Sequence, residues 1–301
     1  MAGFTAADIP DQTSKTFFIT GANTGIGFEV ARALAGKNAR VIIGCRSQAK
    51  AQQAKSDIEA EYKNADIDVV ELDLSDLASI KTAAEKIQQE ERLDVLINNA
   101  GIMVPPYELT KDGFESQFGV NHLGPFALSN LLLDKLNETL GSRIVSTASM
   151  AHKYGKINFD DINAKKKYSS TKCYAMSKLA NLYFCYELQR RLTKAKYKTI
   201  SVVAHPGVAD TELVRYLPSF LTLTMPIFKP IFNSAAQGAW PTLCAATKAD
   251  VQGGEYYGPK GWREISGPAV SVKSNRLSHD QGIAERLWDL SVKMTSINPN
   301  I

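Results

Sequence analysis

Thr20-Gly21-Ala22-Asn23-Thr24-Gly25-Ile26-Gly27 sets the reading of the whole chain. It follows a short run of strand formers, Thr16-Phe17-Phe18-Ile19, and precedes a segment of helical character, Phe28 to Ala35. Strand, glycine-rich turn and helix, in that order, form the setting in which glycines bind a dinucleotide. Gly21 permits a tight exit from the strand. Gly25 and Gly27 let a pyrophosphate approach the backbone and let the helix pack closely on a sheet. The free N–H groups and positive dipole end of that helix then favour phosphate. The spacing is Gly-x3-Gly-x-Gly rather than the commoner Gly-x-Gly-x-x-Gly, so a turn that needs glycine for shape alone is the competing reading.

Beyond this turn the pattern repeats. Ala39-Arg40-Val41-Ile42-Ile43-Gly44 is a continuous apolar run, as in a strand buried on both faces, and it ends in Cys45-Arg46. A polar, alanine-rich helix is expected from Gln48 to Tyr62, and a strand over Asp68–Leu72. Ser75 followed by Asp76 reads as the N-cap of a helix ending near Glu91. A fourth strand, Leu93–Ile97, closes in Asn98-Asn99-Ala100-Gly101. Further on, helices are expected over Asp112–Leu136 and Tyr174–Leu192, and strands over Arg143–Thr147 and Thr199–Ala204. Strands alternating with helices imply right-handed βαβ units and hence an α/β, doubly wound parallel sheet. No repeat or linker interrupts it, so a single domain over 1–301 is expected.

The composition excludes several classes. Of 301 residues, 44% are hydrophobic and 22% charged, with a net charge of +4, which describes an ordinary globular chain with a large core. Lysines cluster only at Lys165–Lys167 and around Lys194, Lys196 and Lys198, which read as solvated surface, so nucleic acid is not an expected partner. Cys45, Cys173, Cys185 and Cys244 are widely spaced, against a disulfide framework or a zinc site and in favour of a reducing cytoplasm; no metal is expected. Met1 to Ser14 is polar, with Asp8 and Asp11, and does not read as a signal peptide. No apolar run reaches the roughly 18 residues of a membrane span.

From Thr211 to Asn233 the pattern changes. Leu213, Leu217, Phe220, Leu221, Leu223, Met225, Ile227, Phe228 and Phe232 are interrupted by Pro218, Pro226 and Pro230, which rules out one straight helix. A lid over a binding cleft, a packed surface excursion and a membrane-touching hairpin over 213–232 are the open readings.

Tyr174 and Lys178 lie four apart on one helix face. The same spacing occurs at Tyr107/Lys111, Tyr168/Lys172 and Tyr256/Lys260, but only Tyr174 opens a sustained helical pattern; Tyr168, for instance, lies in a polar run. A phenol with a free pKa near 10 is a poor proton donor or acceptor at pH 7. A lysine on the next turn favours the phenolate and draws that pKa down. Ser149, just beyond the fifth strand, offers a hydroxyl for a carbonyl oxygen at the sheet edge where open α/β folds bind ligands.

Thr20-Gly21-x-x-x-Gly25-Ile26-Gly27, Asn98-Asn99-Ala100-Gly101, Asn121, Ser149, Tyr174-x-x-Ser177-Lys178 and His205-Pro206-Gly207 together resemble the short-chain dehydrogenase/reductases, from about Ser14 to Gly207. Asn121-His122-Leu123-Gly124 and Gly254-Glu255-Tyr256-Tyr257-Gly258-Pro259 are most similar to the branch of retinol dehydrogenases and WW-domain oxidoreductases. The resemblance implies a Rossmann-type sheet flanked by helices, with a cofactor-binding and catalytic core (14–207), an apolar lid-like insertion (211–233) and C-terminal helices with a last strand (234–301). It also implies roles. Tyr174 is the proton donor in reduction, Ser149 binds the substrate oxygen, and Lys178 holds the nicotinamide ribose and lowers the Tyr174 pKa. Asn121 anchors a water of the proton relay, with a helix irregularity made credible by Gly119, Gly124 and Pro125. The cofactor would meet Gly21, Asn23, Thr24, Gly25, Ile26 and Gly27, then Asp73 and Leu74 at the adenine and Asn99, Ala100 and Gly101 along the adenosine side. Pro206, Gly207, Val208 and Thr211 would meet the nicotinamide end. The Ser149–Tyr174 spacing is longer than in the most compact members, though similar to that of the retinol dehydrogenase branch.

Arg46 bears on cofactor choice. NAD sites place an acid beyond the second strand for the ribose 2′-hydroxyl, whereas here Cys45, Arg46 and Ser47 follow it and no acid occurs until Asp57. A guanidinium can fork onto a 2′-phosphate, so NADP is expected, NADPH being preferred over NADH. The expected function is interconversion of a carbonyl and an alcohol, on a small apolar substrate. A non-catalytic dinucleotide-binding scaffold and a carbon–carbon double-bond reductase are the alternatives. A homodimer is expected through the helices near Asp112–Leu136 and Tyr174–Leu192, the former having Phe126, Leu128, Leu131, Leu132 and Leu133 for a core stripe and a partner face.

Overall fold

The computed structural model describes residues 3–208, 232–299 and 301. Thr211, and the expected lid or membrane-contact stretch apart from Phe232 and Asn233, lie outside the described residues. Strand β1 (Thr16–Thr20) is buried along its whole length, and β2 (Arg40–Cys45) nearly so. Alternation sorts their side chains into two layers. Phe17, Ile19, Val41, Ile43, Val95 and Ile97 face one core, and Phe18, Ile42, Leu96 and Ile144 the other. A strand sandwiched in this way needs apolar residues at every position, which is why these runs do not alternate with polar ones. Truncating the fully buried Phe18 to alanine would cost about 3–5 kcal/mol.

Between these strands run α1 (Gly25–Ala35), α2 (Gln48–Glu61), β3 (Asp66–Glu71), α3 (Leu77–Gln88) and β4 (Val95–Asn98). Then come β5 (Arg143–Thr147), β6 (Ile200–Ala204), β7 (Tyr256–Pro259) and β8 (Ala269–Ser271). The described strands form one sheet in the order β3-β2-β1-β4-β5-β6-β7-β8. All neighbours are parallel except the edge pair β7–β8. The order reverses between β1 and β4, which leaves a crevice at their carboxyl ends. This is the expected doubly wound α/β architecture, with one antiparallel edge added.

Several boundaries differ from the sequence reading. Asp76, not Ser75, caps α3, accepting the N–H groups of Ala78 at 2.9 Å and Ser79 at 3.3 Å. Ser75 instead binds Asp73 through its hydroxyl and N–H at 2.7 and 2.9 Å. The single helix expected over Asp112–Leu136 is broken into α4 (Ser116–Phe118), a π-helical turn at Gly119–Leu123, α5 (Gly124–Leu131) and α6 (Leu133–Asn137). Buried Glu115 starts it by accepting the N–H groups of Gln117 and Phe118. Gly124 allows the π turn to close against the loop after β3: a Cβ there would stand 2.8 Å from the Leu74 carbonyl oxygen. Helix α7 runs Ser170–Lys194 and so begins four residues before Tyr174.

The surfaces expected to form a dimer are consumed by the chain itself. Phe126, Leu128, Leu132 and Leu133 are buried in the core, with Leu131 packed against it. Every residue of α7 from Ala175 to Leu188 is also buried, with the helix Gln281–Thr295 and the turn Arg276–His279 lying on it. The apolar residues expected to supply a partner face on those two helices are instead taken up largely within one chain. No helix among the described residues is long and apolar enough to cross a membrane.

Candidate active site

The carboxyl ends of β1, β2, β4, β5 and β6 open into one cleft of about 1320 Å³. At the end of β1, the Thr20 hydroxyl accepts the N–H groups of Asn99 and Ala100, each at 3.0 Å. Asn99 Nδ2 donates back to the Thr20 carbonyl at 2.9 Å and to the Gly21 carbonyl at 3.3 Å. The glycine turn is thus pinned to the β4 loop. Gly21 has φ +67°, a conformation that side chains resist. A Cβ at Gly27 would collide with the Gly21 carbonyl and Asn99 Nδ2, so close packing demands glycine there. The α1 N-cap, Thr24, has no side-chain capping bond. The first N–H groups of α1 consequently face a cleft lined by Gly21, Asn23, Thr24, Gly25, Ile26 and Gly27, an arrangement that suits a pyrophosphate.

Arg46, Ser47, Asp73 and Leu74 line the same cleft beyond β2 and β3. Arg46 is exposed at its rim. Lys50 joins them there; the sequence reading missed it. Its position follows from the helix start: Ser47 is the N-cap of α2 and accepts Lys50 N–H at 3.4 Å, so Lys50 stands in the first turn beside Arg46.

At the other end, Ser149, Tyr174 and Lys178 meet around Gly101, Pro206, Gly207 and Val208. The Ser149 hydroxyl accepts Ala151 N–H at 3.2 Å, capping the short turn Met150–Tyr154. Its carbonyl is held at 2.7 Å by His152 Nδ1, a buried residue overlooked in sequence because a lone histidine carries no pattern. Lys178 Nζ donates to the Thr147 carbonyl at 3.1 Å and stands 5.8 Å from the Tyr174 ring centroid. A Cβ at Gly101 would sit 3.1 Å from Asn121 Oδ1 and 3.5 Å from Lys178 Nζ, so the loop after β4 touches both groups. Asn121, in the π turn, accepts Ile102 N–H at 2.8 Å and donates to the Ile102 carbonyl and Ser177 Oγ, each at 2.9 Å. Its Oδ1 keeps a second lone pair, and the helix irregularity expected there is present as the π turn.

Burial governs the electrostatics. It lowers the Lys178 pKa to about 8 and raises that of Tyr174 above its ordinary 10, with the Ser149 hydroxyl opposing the rise. Tyr174 is half-buried and lines the cleft, and desolvation of its hydroxyl prevails. The downward pull expected from Lys178 therefore does not win in the protein alone. Tyr168 also departs from expectation: its hydroxyl donates to the Pro105 carbonyl at 2.6 Å, so it braces the cleft wall.

Fold and site together define a dinucleotide-dependent oxidoreductase of the α/β class. The sequence profile described as short chain dehydrogenase matches residues 15–221, and the chain belongs to that family, which uses a nicotinamide dinucleotide. It is similar to retinol dehydrogenase 12 of Mus musculus, with 44% identity over 94% of this chain and 87% of that protein. A solved but uncharacterised protein of Mycobacterium paratuberculosis shares 42% identity, with a TM-score of 0.83 and full coverage of both chains. A blue fluorescent protein from a metagenomic library, solved with NADPH, shares 25% identity, with a TM-score of 0.64 over 82% of this chain and 96% of its own.

Proposed function

We propose that the chain is an NADP(H)-dependent oxidoreductase interconverting a carbonyl and an alcohol on an apolar substrate. The carrying observation is the convergence of Ser149, Tyr174 and Lys178 in one cleft with an uncapped helix start. The bound nicotinamide would supply or accept the hydride. The chain's own part is orientation and proton transfer. Ser149, whose oxygen already accepts Ala151 N–H, keeps its own O–H to donate to the substrate oxygen. Tyr174 delivers the proton to that oxygen in reduction. Lys178 uses one of its protons on Thr147 and has the others for ribose hydroxyls, and its charge favours the phenolate that Tyr174 leaves behind. Asn121 holds the Ile102 loop against the catalytic helix. NADPH bound to the metagenomic relative, together with Arg46 and Lys50 at the cleft rim, supports NADP over NAD.

Met103, Val104, Leu109, Met150 and Phe232 support an apolar substrate, and the mouse relative is named for retinol, so retinal heads the candidates. NADPH oxidation screened against retinal, other aldehydes, ketones and steroids tests the reading. Turnover with at least one carbonyl is expected. Tight NADPH binding without turnover on any of them would favour a scaffold. Four free buried thiols support a cytoplasmic setting. A homodimer remains the proposed assembly; a monomeric mass by light scattering at micromolar concentration would reject it.

A further inference from the structure

Val104 holds a backbone conformation that branched side chains avoid. Its φ is +48°, in the left-handed region, where a β-branched residue is a genuine outlier. Such strain persists only where neighbours over-determine it, and it gathers at functional sites. Here two amides do so. Asn121 grips Ile102 through both its N–H and its carbonyl. Gln117, fully buried four residues earlier, accepts Val104 N–H at 2.8 Å. Each amide also reaches the tyrosine helix: Asn121 donates to Ser177 Oγ at 2.9 Å, and Gln117 Nε2 to the Ser170 carbonyl at 2.9 Å. Tyr168 completes the bracket through Pro105.

The bracket fixes where Val104 lies. Gly101 stands beside Lys178, and Val104 is tied through Gln117 to Ser170, two turns back along the same helix. The loop therefore passes Tyr174 and carries Val104 to the side away from the glycine turn. There it lines the cleft with Met103, Leu109, Tyr154 and Phe232.

We propose that Val104 is a specificity-determining residue, its strained turn held by the positioning residue Gln117 so that it forms a fixed apolar wall against the body of an extended apolar carbonyl substrate. This rests on the carbonyl–alcohol reading above. Two sets of measurements test it. In thermal melts, Val104→Gly melts above Val104→Ala, the reverse of the usual order, because only glycine relieves a positive φ. With NADPH and the probes decanal and propanal, Val104→Ala lowers kcat/KM for decanal by on the order of tenfold and for propanal by less than about threefold, while KM for NADPH stays within about twofold. Gln117→Leu reproduces the decanal loss, and the Gln117→Leu/Val104→Ala double variant is no worse than either single one, as expected of groups acting through one contact. Equal losses for the two aldehydes, or an alanine variant that melts above the glycine variant, would overturn the inference. A wild type that binds NADPH yet reduces no carbonyl offered would overturn the reading beneath it and the specificity claim with it; the melting order is read independently of that result.

Discussion

Lys178 Nζ stands 5.8 Å from the centroid of the Tyr174 ring while donating to the Thr147 carbonyl at 3.1 Å. Burial moves both groups towards their neutral forms, Lys178 from 10.5 to about 8 and Tyr174 above 10. The unfolded chain therefore binds more protons than the folded one between those two lysine values, and stability rises with pH through that window. Removing the charge relieves the burden: Lys178→Met is expected to stabilise the free protein at pH 7 by at most on the order of 3 kcal/mol. The gain shrinks as pH climbs from about 8 to 10.5. Calorimetric melts at both ends of that range check it, and an equal gain at both would contradict a buried-charge origin.

The same lysine shapes the rate profile. In the proposed mechanism reduction needs the Lys178 ammonium and a protonated Tyr174, and the lysine is the first to lose its proton. Reductive kcat/KM is expected to fall as pH rises through about 8. Lys178→Arg, slower overall, moves that fall upward because a guanidinium stays charged. A profile unmoved by the arginine would assign the titration to another group.

Arg46 is expected to select the cofactor. A phosphate contact of about 1.5–3 kcal/mol corresponds to a preference for NADPH over NADH of roughly 10- to 150-fold. Arg46→Asp abolishes or reverses it and leaves the maximal rate with NADH largely intact. Lys50→Ala weakens it less, since that residue lies in the first turn of α2, farther along the chain from the end of β2. The ratio of kcat/KM for the two cofactors reads both effects, and a wild type that favours NADH would refute the assignment.

Gly27→Ala tests the helix start. The new methyl would collide with backbone at Gly21, which cannot swing aside as a side chain can. A loss of about 1–3 kcal/mol is expected, together with loss of NADPH binding measured by fluorescence. Unchanged binding would show that the uncapped turn is not the phosphate site.

The sheet was legible because its strands are buried on both faces: Phe17–Ile19 and Val41–Ile43 read as continuous apolar runs. The glycine turn and the Tyr174/Lys178 pair were legible because their spacings are local. Other features were not. The break in the Asp112–Leu136 helix depends on Gly124 meeting Leu74, residues 50 apart, and no periodicity records such a contact. The start of α7 at Ser170 was hidden by a polar run that tertiary packing overrides. Gln117 drew no attention and Tyr168 read only as part of a polar run, because their partners, Val104 and Pro105, are distant in sequence. The apolar residues at Phe126–Leu133 were read as enough for both a core stripe and a partner face; the chain's own core buries most of them.

Tyr174 is the proposed proton donor. Steady-state NADPH oxidation by Tyr174→Phe, beside wild type and with NADPH affinity measured in parallel, tests it most directly. Tyr168→Phe is a poor control given its bond to Pro105, so Tyr197→Phe, whose hydroxyl donates to Asp134 of α6, serves instead. Turnover is expected to fall by roughly 10² or more in Tyr174→Phe, with cofactor affinity within a few-fold of wild type and Tyr197→Phe nearly unaffected. Near-normal turnover in Tyr174→Phe would contradict the central claim that this phenol transfers the proton.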